Sequence, residues 1–271
     1  MGEPLSRQEL EAAHCWETDD RVPGRPAMTE FRRRLRYQQA RWRGANGHPI
    51  GTQPIVPRPG KPARPVGSRL PLDYAQETGA NFLTAGALAA ARARTSVTEA
   101  HQSFDHQRLW ADLLWSPTLA FNLFGDPAAD PGLAGRAART WWPDAPGRAG
   151  EVRFAHSPGR FDPSYLNSLR AFAAGATDAL MGRSGLAVMW LEHLLLLSML
   201  QHPSRQWRWG RYVVVHPAGN SDLATACAHY RSLLADQATF ASVTLEELLD
   251  AGALAAPTVA ALRDRYLPGS G

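Results

Sequence analysis

Apolar residues recur along this chain mostly at helical spacing. Thr29 stands where a helix cap belongs, and EFRRRLRYQQARWRG after it carries a narrow apolar stripe at Phe31, Leu35 and Trp42 that stops near Gly44. From Asn46 to Leu72 prolines and glycines recur every few residues, which predicts an irregular segment: an extended arm, a wrapping loop or a disordered stretch. Helical patterns resume at NFLTAGALAAARAR, HQRLWADLLW and PTLAFNLFG, and Asp130 or Pro131 opens another through PGLAGRAARTWW. Two segments have the character of strands, EVRFAH from Glu151 to His156 and RYVVVHP from Arg211 to Pro217. Asn220 or Ser221 caps SDLATACAHYRSLLA, Thr244 and Glu247 form a capping-box pattern for TLEELLDA, and TVAALRDRY is the last helix. The pattern predicts a helix-rich α/β fold with a small sheet.

The most apolar run, GLAVMWLEHLLLLSMLQ from Gly185 to Gln201, has Glu192 and His193 at its centre. It falls short of the roughly 20 apolar residues that a membrane span requires, so it predicts a helix buried on nearly every side inside a domain. Its length of 271 residues and 44% hydrophobic content give the chain room for one large domain, or for a core domain with a helical N-terminal extension. Cys15 and Cys227 lie far apart without a C-x-x-C or a zinc spacing, which predicts two unpaired thiols in a reducing compartment. The polar N-terminus MGEPLSRQELEAAH lacks an apolar signal region, and the expected location is cytoplasmic, with no membrane partner.

Charge changes this picture in one place. The net charge is +4, yet Phe31 to Arg69 holds ten basic residues and no acidic one, leaving the remainder net negative. Basic residues interleaved with aromatics in FRRRLRYQQARWR make Arg32, Arg33, Arg36, Arg41 and Arg43 candidates for contact with nucleic-acid phosphates, with Tyr37 or Trp42 as stacking surface. The plainer alternative is a solvated helix face in an arginine-rich composition. Of 29 basic residues only Lys61 is a lysine, and it sits in PRPGKPARP, where neither a helix nor a paired strand is expected. Chemistries that need an ammonium on an ordered element, such as a phosphate-loop ATPase, a Schiff base or an E-x-K nuclease strand, are therefore disfavoured.

Other candidates are weaker. His101 and His106 are spaced by five and do not share a helix face, and Glu192 and His193 point about 100° apart on one helix. A buried Glu192 must be paired or protonated, which makes it a site candidate beside the alternative of a structural hydrogen bond. No G-x-S-x-G, H-E-x-x-H or G-x-G-x-x-G is present. In EVRFAHSPGRFDPSYLNSLRAF a strand leads into two turn-forming stretches, Ser157-Pro158-Gly159-Arg160 and Asp162-Pro163.

The order of Asn81-Phe82-Leu83, SPTLAFNLFGD, SPGRFDPSYL, MWLEHLLLLSML, RYVVVHPAGN and TLEELL resembles a family of bacterial restriction endonucleases with a PD-(D/E)XK core, over Phe31 to Leu249. The resemblance implies a restriction-endonuclease-like α/β core and Mg²⁺-dependent hydrolysis of DNA, with carboxylates holding the metal and a lysine orienting water. It assigns Ser157, Pro158, Gly159, Arg160 and Asp162 to a family motif. In the family, the segment matching Leu169 to Phe172 is followed by an Asp and a strand, then by a second strand with E-x-K or D-x-K. Here the chain reads AAGATDALMGRSG and enters the next helix directly, too short for two strands of about five to six residues and a turn.

The resulting expectation is a basic N-terminal helix and arm over residues 1–75, followed by an endonuclease-like domain over 76–271 truncated internally near 172–176. No catalytic or metal-binding residue is assigned, and Asp178 is not given a metal role. The expected function is DNA binding by a catalytically inactive copy. The alternatives are a structural or interaction protein that self-associates through an exposed sheet edge, and a hydrolase using Glu192, Asp162 and a histidine.

Overall fold

A computed structural model describes residues 4–16, 29–60, 62–97, 104–145, 151–154, 171–173, 175–176, 180 and 184–267. The chain divides into two compact units. Unit 1 comprises Met1–Ala137, Ala149–His156 and Leu254–Gly271, and unit 2 comprises Ala138–Arg148 and Ser157–Ala253. The fold is mixed α/β, rich in helix, with two small sheets among the described residues.

Unit 1 begins with α1 (Arg7–Ala12), whose Ser6 and Glu9 form a reciprocal capping box, and α2 (Glu30–Ala45), capped by Thr29 as its sequence predicts. Leu10, Cys15 and Ala40 pack together beneath Leu5, Trp16 and Tyr37, so α1 covers part of α2. The Cys15 thiol donates to the Ala13 and Arg36 carbonyls at 3.3 and 3.4 Å; both cysteines are free and buried.

The proline-rich stretch is more ordered than its composition predicts. β1 (Gly51–Gln53) and β2 (Arg64–Val66) pair antiparallel, Gly51 opposite Val66. Backbone bonds from Leu70 N–H to the Ala111 carbonyl and from Leu113 N–H to the Ser68 carbonyl fasten the exit of the hairpin into unit 1, where Val66, Ser68 and Leu70 are buried. Proline removes donors but leaves every carbonyl available, and the few remaining N–H groups suffice for a three-residue ladder. α3 (Leu72–Thr78), which composition did not predict, ends at Gly79 in the left-handed conformation.

α4 (Ala85–Thr95), α5 (His106–Ala111) and α6 (Ser116–Ala129) build the helical layer around a core of Trp42, Leu70, Phe82, Leu109, Trp110, Leu113 and Phe121. The glycine and alanine content of α4 and α6 has a packing reason. A Cβ on Gly125 would lie 2.3 Å from the Ala87 Cα, and one on Gly86 would lie 2.5 Å from Asp126 Oδ1, so larger residues would force the two helices apart. α7 (Pro131–Trp141) contributes its residues through Ala137 to unit 1 and the rest to unit 2.

The predicted strand at Glu151 is not formed over residues 151–154; residues 155 and 156 lie outside the described residues. The Phe154 carbonyl is taken by the Arg94 Nε at 2.8 Å, and its ring stacks on Phe121 at 4.2 Å between centroids. A side-chain donor thus satisfies the acceptor that a ladder would have used.

Unit 2 contains α8 (Ser184–Leu200), β3 (Tyr212–His216), α9 (Ser221–Ser232), β4 (Phe240–Thr244) and α10 (Leu245–Asp250), and α11 (Ala256–Tyr266) returns to unit 1. β3 and β4 are parallel, with Tyr212 opposite Phe240 and His216 opposite Thr244. β4 escaped sequence reading because FASVT is short and weakly alternating, and it gains its order from non-local pairing with β3. The N-caps at Asn220 and Thr244 stand as predicted. α8 departs from its prediction: Leu186, Met189, Leu194 and Leu197 are buried, whereas Val188 is 57% and Leu191 49% exposed. One side of this apolar helix faces solvent.

Candidate nucleic-acid interface and the region of the expected catalytic strands

The five candidate arginines all lie on α2, but they do not share one surface. At about 100° per residue, Arg32, Arg36 and Arg43 fall within roughly 40° of one another, Arg33 stands aside, and Arg41 points the opposite way. Arg32 and Arg41 are exposed, while Arg33, Arg36 and Arg43 are half-buried. The face that begins in solvent at Arg32 runs into the core at Gln39, which is fully buried and donates to the Arg265 carbonyl at 2.7 Å.

Arg43 is committed to structure. It donates to the Gly67 carbonyl at 3.0 Å and the His48 carbonyl at 2.7 Å, holding the end of α2 to the hairpin, and burial lowers its pKa. Arg33 lies over the Trp16 ring at 5.5 Å, as does Arg7 at 5.3 Å. Of the proposed stacking residues, Trp42 is buried beneath the Arg265 guanidinium, 4.4 Å from its ring centre, and Tyr37 packs against the α1 cluster. Trp42 offers no free face for a base, and Tyr37 is partly buried.

The motif residues of unit 1 form a buried polar network. Arg265 is wholly buried and, among the described residues, has no carboxylate partner. Its guanidinium donates to the Gln39 Oε1 at 3.2 Å, the Asn81 carbonyl at 2.7 Å, the Asn81 Oδ1 and the Leu113 carbonyl at 3.4 Å, and it lies over Trp42 and Tyr266. Burial lowers its pKa, while a fork of carbonyl acceptors and two aromatic faces offset the desolvation. Asn122 accepts from the Leu83 N–H at 2.8 Å and donates to the Asn81 carbonyl and the Tyr266 hydroxyl. Asp126 accepts from Thr84 at 2.6 Å and Thr258 at 3.1 Å. Asn81, Asn122 and Asp126 all belong to motifs that carry the family resemblance, and here they hold helices together.

In unit 2 the centre of α8 contradicts the buried Glu192 of the sequence reading: Glu192 is exposed and accepts a bond from the Tyr212 hydroxyl at 2.6 Å. Burial, with the bond to Glu192 adding to it, pushes the Tyr212 phenol above its ordinary value. His193 is fully buried, and its Nδ1 and Nε2 engage the Tyr230 hydroxyl at 3.0 Å and the Thr239 hydroxyl at 2.9 Å. Tyr212 stacks on the ring, with Phe172, Tyr230 and Phe240 around it. Burial lowers the His193 pKa to about 4, so the imidazole is neutral at pH 7. The adjacent residues are thus split between solvent and core.

Phe172 forms an isolated bridge with Leu234, and the described residues between it and α8 bear on the expected catalytic hairpin. Ala176 and Leu180 are helical and buried in the same core as Leu186 and Met189. Ser157, Pro158, Gly159, Arg160 and Asp162 lie outside the described residues, as do His101, Asp178 and Lys61. His106 lies in the first turn of α5 beside Phe104.

A family model described as the PD-(D/E)XK nuclease superfamily matches the chain over residues 19–175 and 166–268. The chain belongs to the PD-(D/E)XK nuclease superfamily. No curated protein and no solved structure matches it. Superfamily members generally use Mg²⁺, a hard cation that selects clustered carboxylate and carbonyl oxygens. Among the described residues no three His, Cys, Asp or Glu side chains gather into a group that could hold a metal. The only carboxylate on α8, Glu192, is engaged by Tyr212, and the described residues do not fit a Mg²⁺ site.

Sequence reasoning missed a second segment of basic and aromatic composition. RQWRWGR, from Arg205 to Arg211, was as legible as the α2 arginines but, apart from Arg211 at the start of the predicted strand, lay outside any predicted element.

Proposed function

We propose that this member of the PD-(D/E)XK nuclease superfamily binds DNA without cleaving it, having lost the hairpin that carries catalysis. The observation that carries the reading is the passage from Phe172 to Ser184. Two strands of about five to six residues and a turn exceed the intervening chain, and Ala176 and Leu180 within it are helical. The lone lysine, Lys61, belongs to the proline-rich segment rather than to this region.

Exposed Arg32 and Arg41, within a stretch that lacks acidic residues, are the α2 groups available to phosphates. Arg36 adds to the Arg32 side, while Arg33 and Arg43 support the surface by fixing Trp16 and the hairpin. Among the described residues no helix is long and apolar enough to cross a membrane, and the reading is of a cytoplasmic protein.

Fluorescence anisotropy with a labelled duplex, at low and high salt, tests the binding. Affinity should fall steeply with salt, and Arg32→Ala with Arg41→Ala should weaken it uniformly across sequences. Supercoiled plasmid with Mg²⁺ tests catalysis; nicking that co-purifies with the protein through successive columns overturns the inactive reading.

A second reading has its own support on α8. Val188 and Leu191 are exposed, the Trp190 indole N–H is buried without an acceptor, and among the described residues β3 and β4 pair only with each other. Such a surface favours self-association. Light scattering over a concentration series should show a dimer that Leu191→Glu dissociates; a monomer at every concentration removes this reading.

A further inference from the structure

Between α8 and β3 the chain runs through Gln201 to Arg211 with three arginines and two tryptophans and no acidic residue. Its two ends are fixed. At the start, Arg205 N–H bonds to the His202 carbonyl at 3.0 Å and the Ser204 N–H to the His202 Nδ1 at 3.2 Å. At the far end a Cβ on Gly210 would lie 2.7 Å from Leu196 Cδ1, so the backbone is seated directly on α8, and Arg211 is held by Asp144 and the Ala238 carbonyl.

What lies between is presented outward. Arg205 and Arg208 are exposed, and among the described residues neither has a carboxylate partner. Trp209 is 39% exposed, with the Arg211 guanidinium 5.5 Å from its ring centre, and Trp207 is half-buried, with His202 edge-on at 5.7 Å. Trp207 and Trp209 thus belong to one short basic and aromatic strip of chain with the exposed Arg205 and Arg208. An indole left 39% exposed beside two exposed guanidiniums that have no carboxylate partner among the described residues suits an anionic, aromatic partner.

We infer that residues 205–209 bind single-stranded DNA, with Trp209 and Trp207 stacking on unpaired bases and Arg205 and Arg208 contacting the adjacent phosphates. This rests on the DNA-binding reading above but adds a separate site of different preference. Base–aromatic stacking accepts any sequence and needs a base out of its pair, whereas the α2 arginines have only a buried Trp42 and a partly buried Tyr37 beside them and suit a phosphate backbone. The strip therefore predicts a preference for melted or unpaired DNA.

The test uses the full chain with a labelled oligothymidylate and a labelled duplex. Oligothymidylate should quench tryptophan fluorescence, and Trp209→Ala should weaken its binding about tenfold, with Trp209→Phe recovering most of the loss. Arg205→Ala with Arg208→Ala should reduce the salt slope by about 1.4 for two phosphates. Duplex affinity should change by less than about twofold in the Trp209 variants, whose circular dichroism verifies the fold. If the wild type binds duplex but not oligothymidylate, the inference falls and the DNA reading stands; if it binds neither, both fall. Oligothymidylate binding that is unchanged in Trp209→Ala, or lost only in the arginine variant, overturns the stacking role.

Discussion

The two units bury polar groups in opposite ways. Unit 1 encloses a charge: Arg265, satisfied by carbonyl and amide oxygens and two aromatic faces, tied to Asn81, Asn122 and Gln39. Unit 2 encloses a neutral base: His193, between two hydroxyls and a shell of aromatic rings. A delocalised guanidinium with five fixed donors organises many acceptors at once, so it can join α2, α11 and the turn before α4. An imidazole with two ring nitrogens organises only two, and the surrounding apolar packing must do the rest. The resemblance motifs of unit 1 thus supply structural residues of its core, whereas unit 2 has an apolar helix with one bare side.

The comparison breaks most sharply at Arg265. Arg265→Ala should cost on the order of 4 kcal/mol, because several buried acceptors lose their donor and a cavity opens between Trp42 and Tyr266. Arg265→Lys should recover little, since an ammonium cannot reproduce the fork. Denaturant unfolding followed by near-ultraviolet dichroism checks both. A loss below about 1 kcal/mol for Arg265→Ala would mean that the network is not what holds unit 1.

Unit 2 should instead be sensitive to acid. The His193 pKa falls from 6.5 to about 4 on folding, so the unfolded chain takes up a proton first as pH drops. Stability from this group is present above pH 6.5 and is lost as pH falls toward 4, on the order of 3 kcal/mol in all. His193→Gln should flatten this part of the stability–pH curve relative to wild type, measured as melting temperature across that range. A parallel slope in both proteins would assign the acid sensitivity elsewhere.

Smaller effects sharpen the contrast. Asn122→Ala removes an acceptor for Leu83 and a donor to Asn81 and Tyr266, and should cost about 2–3 kcal/mol in unit 1. Thr244→Ala removes the reciprocal cap of α10 and should cost about 1 kcal/mol in unit 2. Chemical denaturation of the two variants, compared with Arg265→Ala, gives the order of magnitude for each unit.

Local signals were the legible part of this fold. The caps at Thr29, Asn220 and Thr244, the helices they start and the strand at Tyr212 follow from residues a few positions apart. β4 and the β1–β2 hairpin did not follow, because pairing energy comes from residues distant in sequence. At the candidate site the arginines of α2 were found by composition, but their division into solvent-exposed, ring-stacking and backbone-holding side chains depends on which side of α2 is covered. Arg205 to Gly210 carried the same composition and was passed over, since no helical or strand period marked it.

By itself, the sequence determined the superfamily, the helix starts, the concentration of positive charge between Phe31 and Arg69, and the shortness of the chain after Phe172. Tertiary structure alone decided which ionisable groups are exposed and which are sealed in the core. Adjacent Glu192 and His193 are indistinguishable as neighbours in a string, yet a 100° turn of the helix leaves one in solvent and seals the other among aromatic rings. Burial belongs to the surroundings of a residue, and those surroundings are assembled from parts of the chain far apart in sequence.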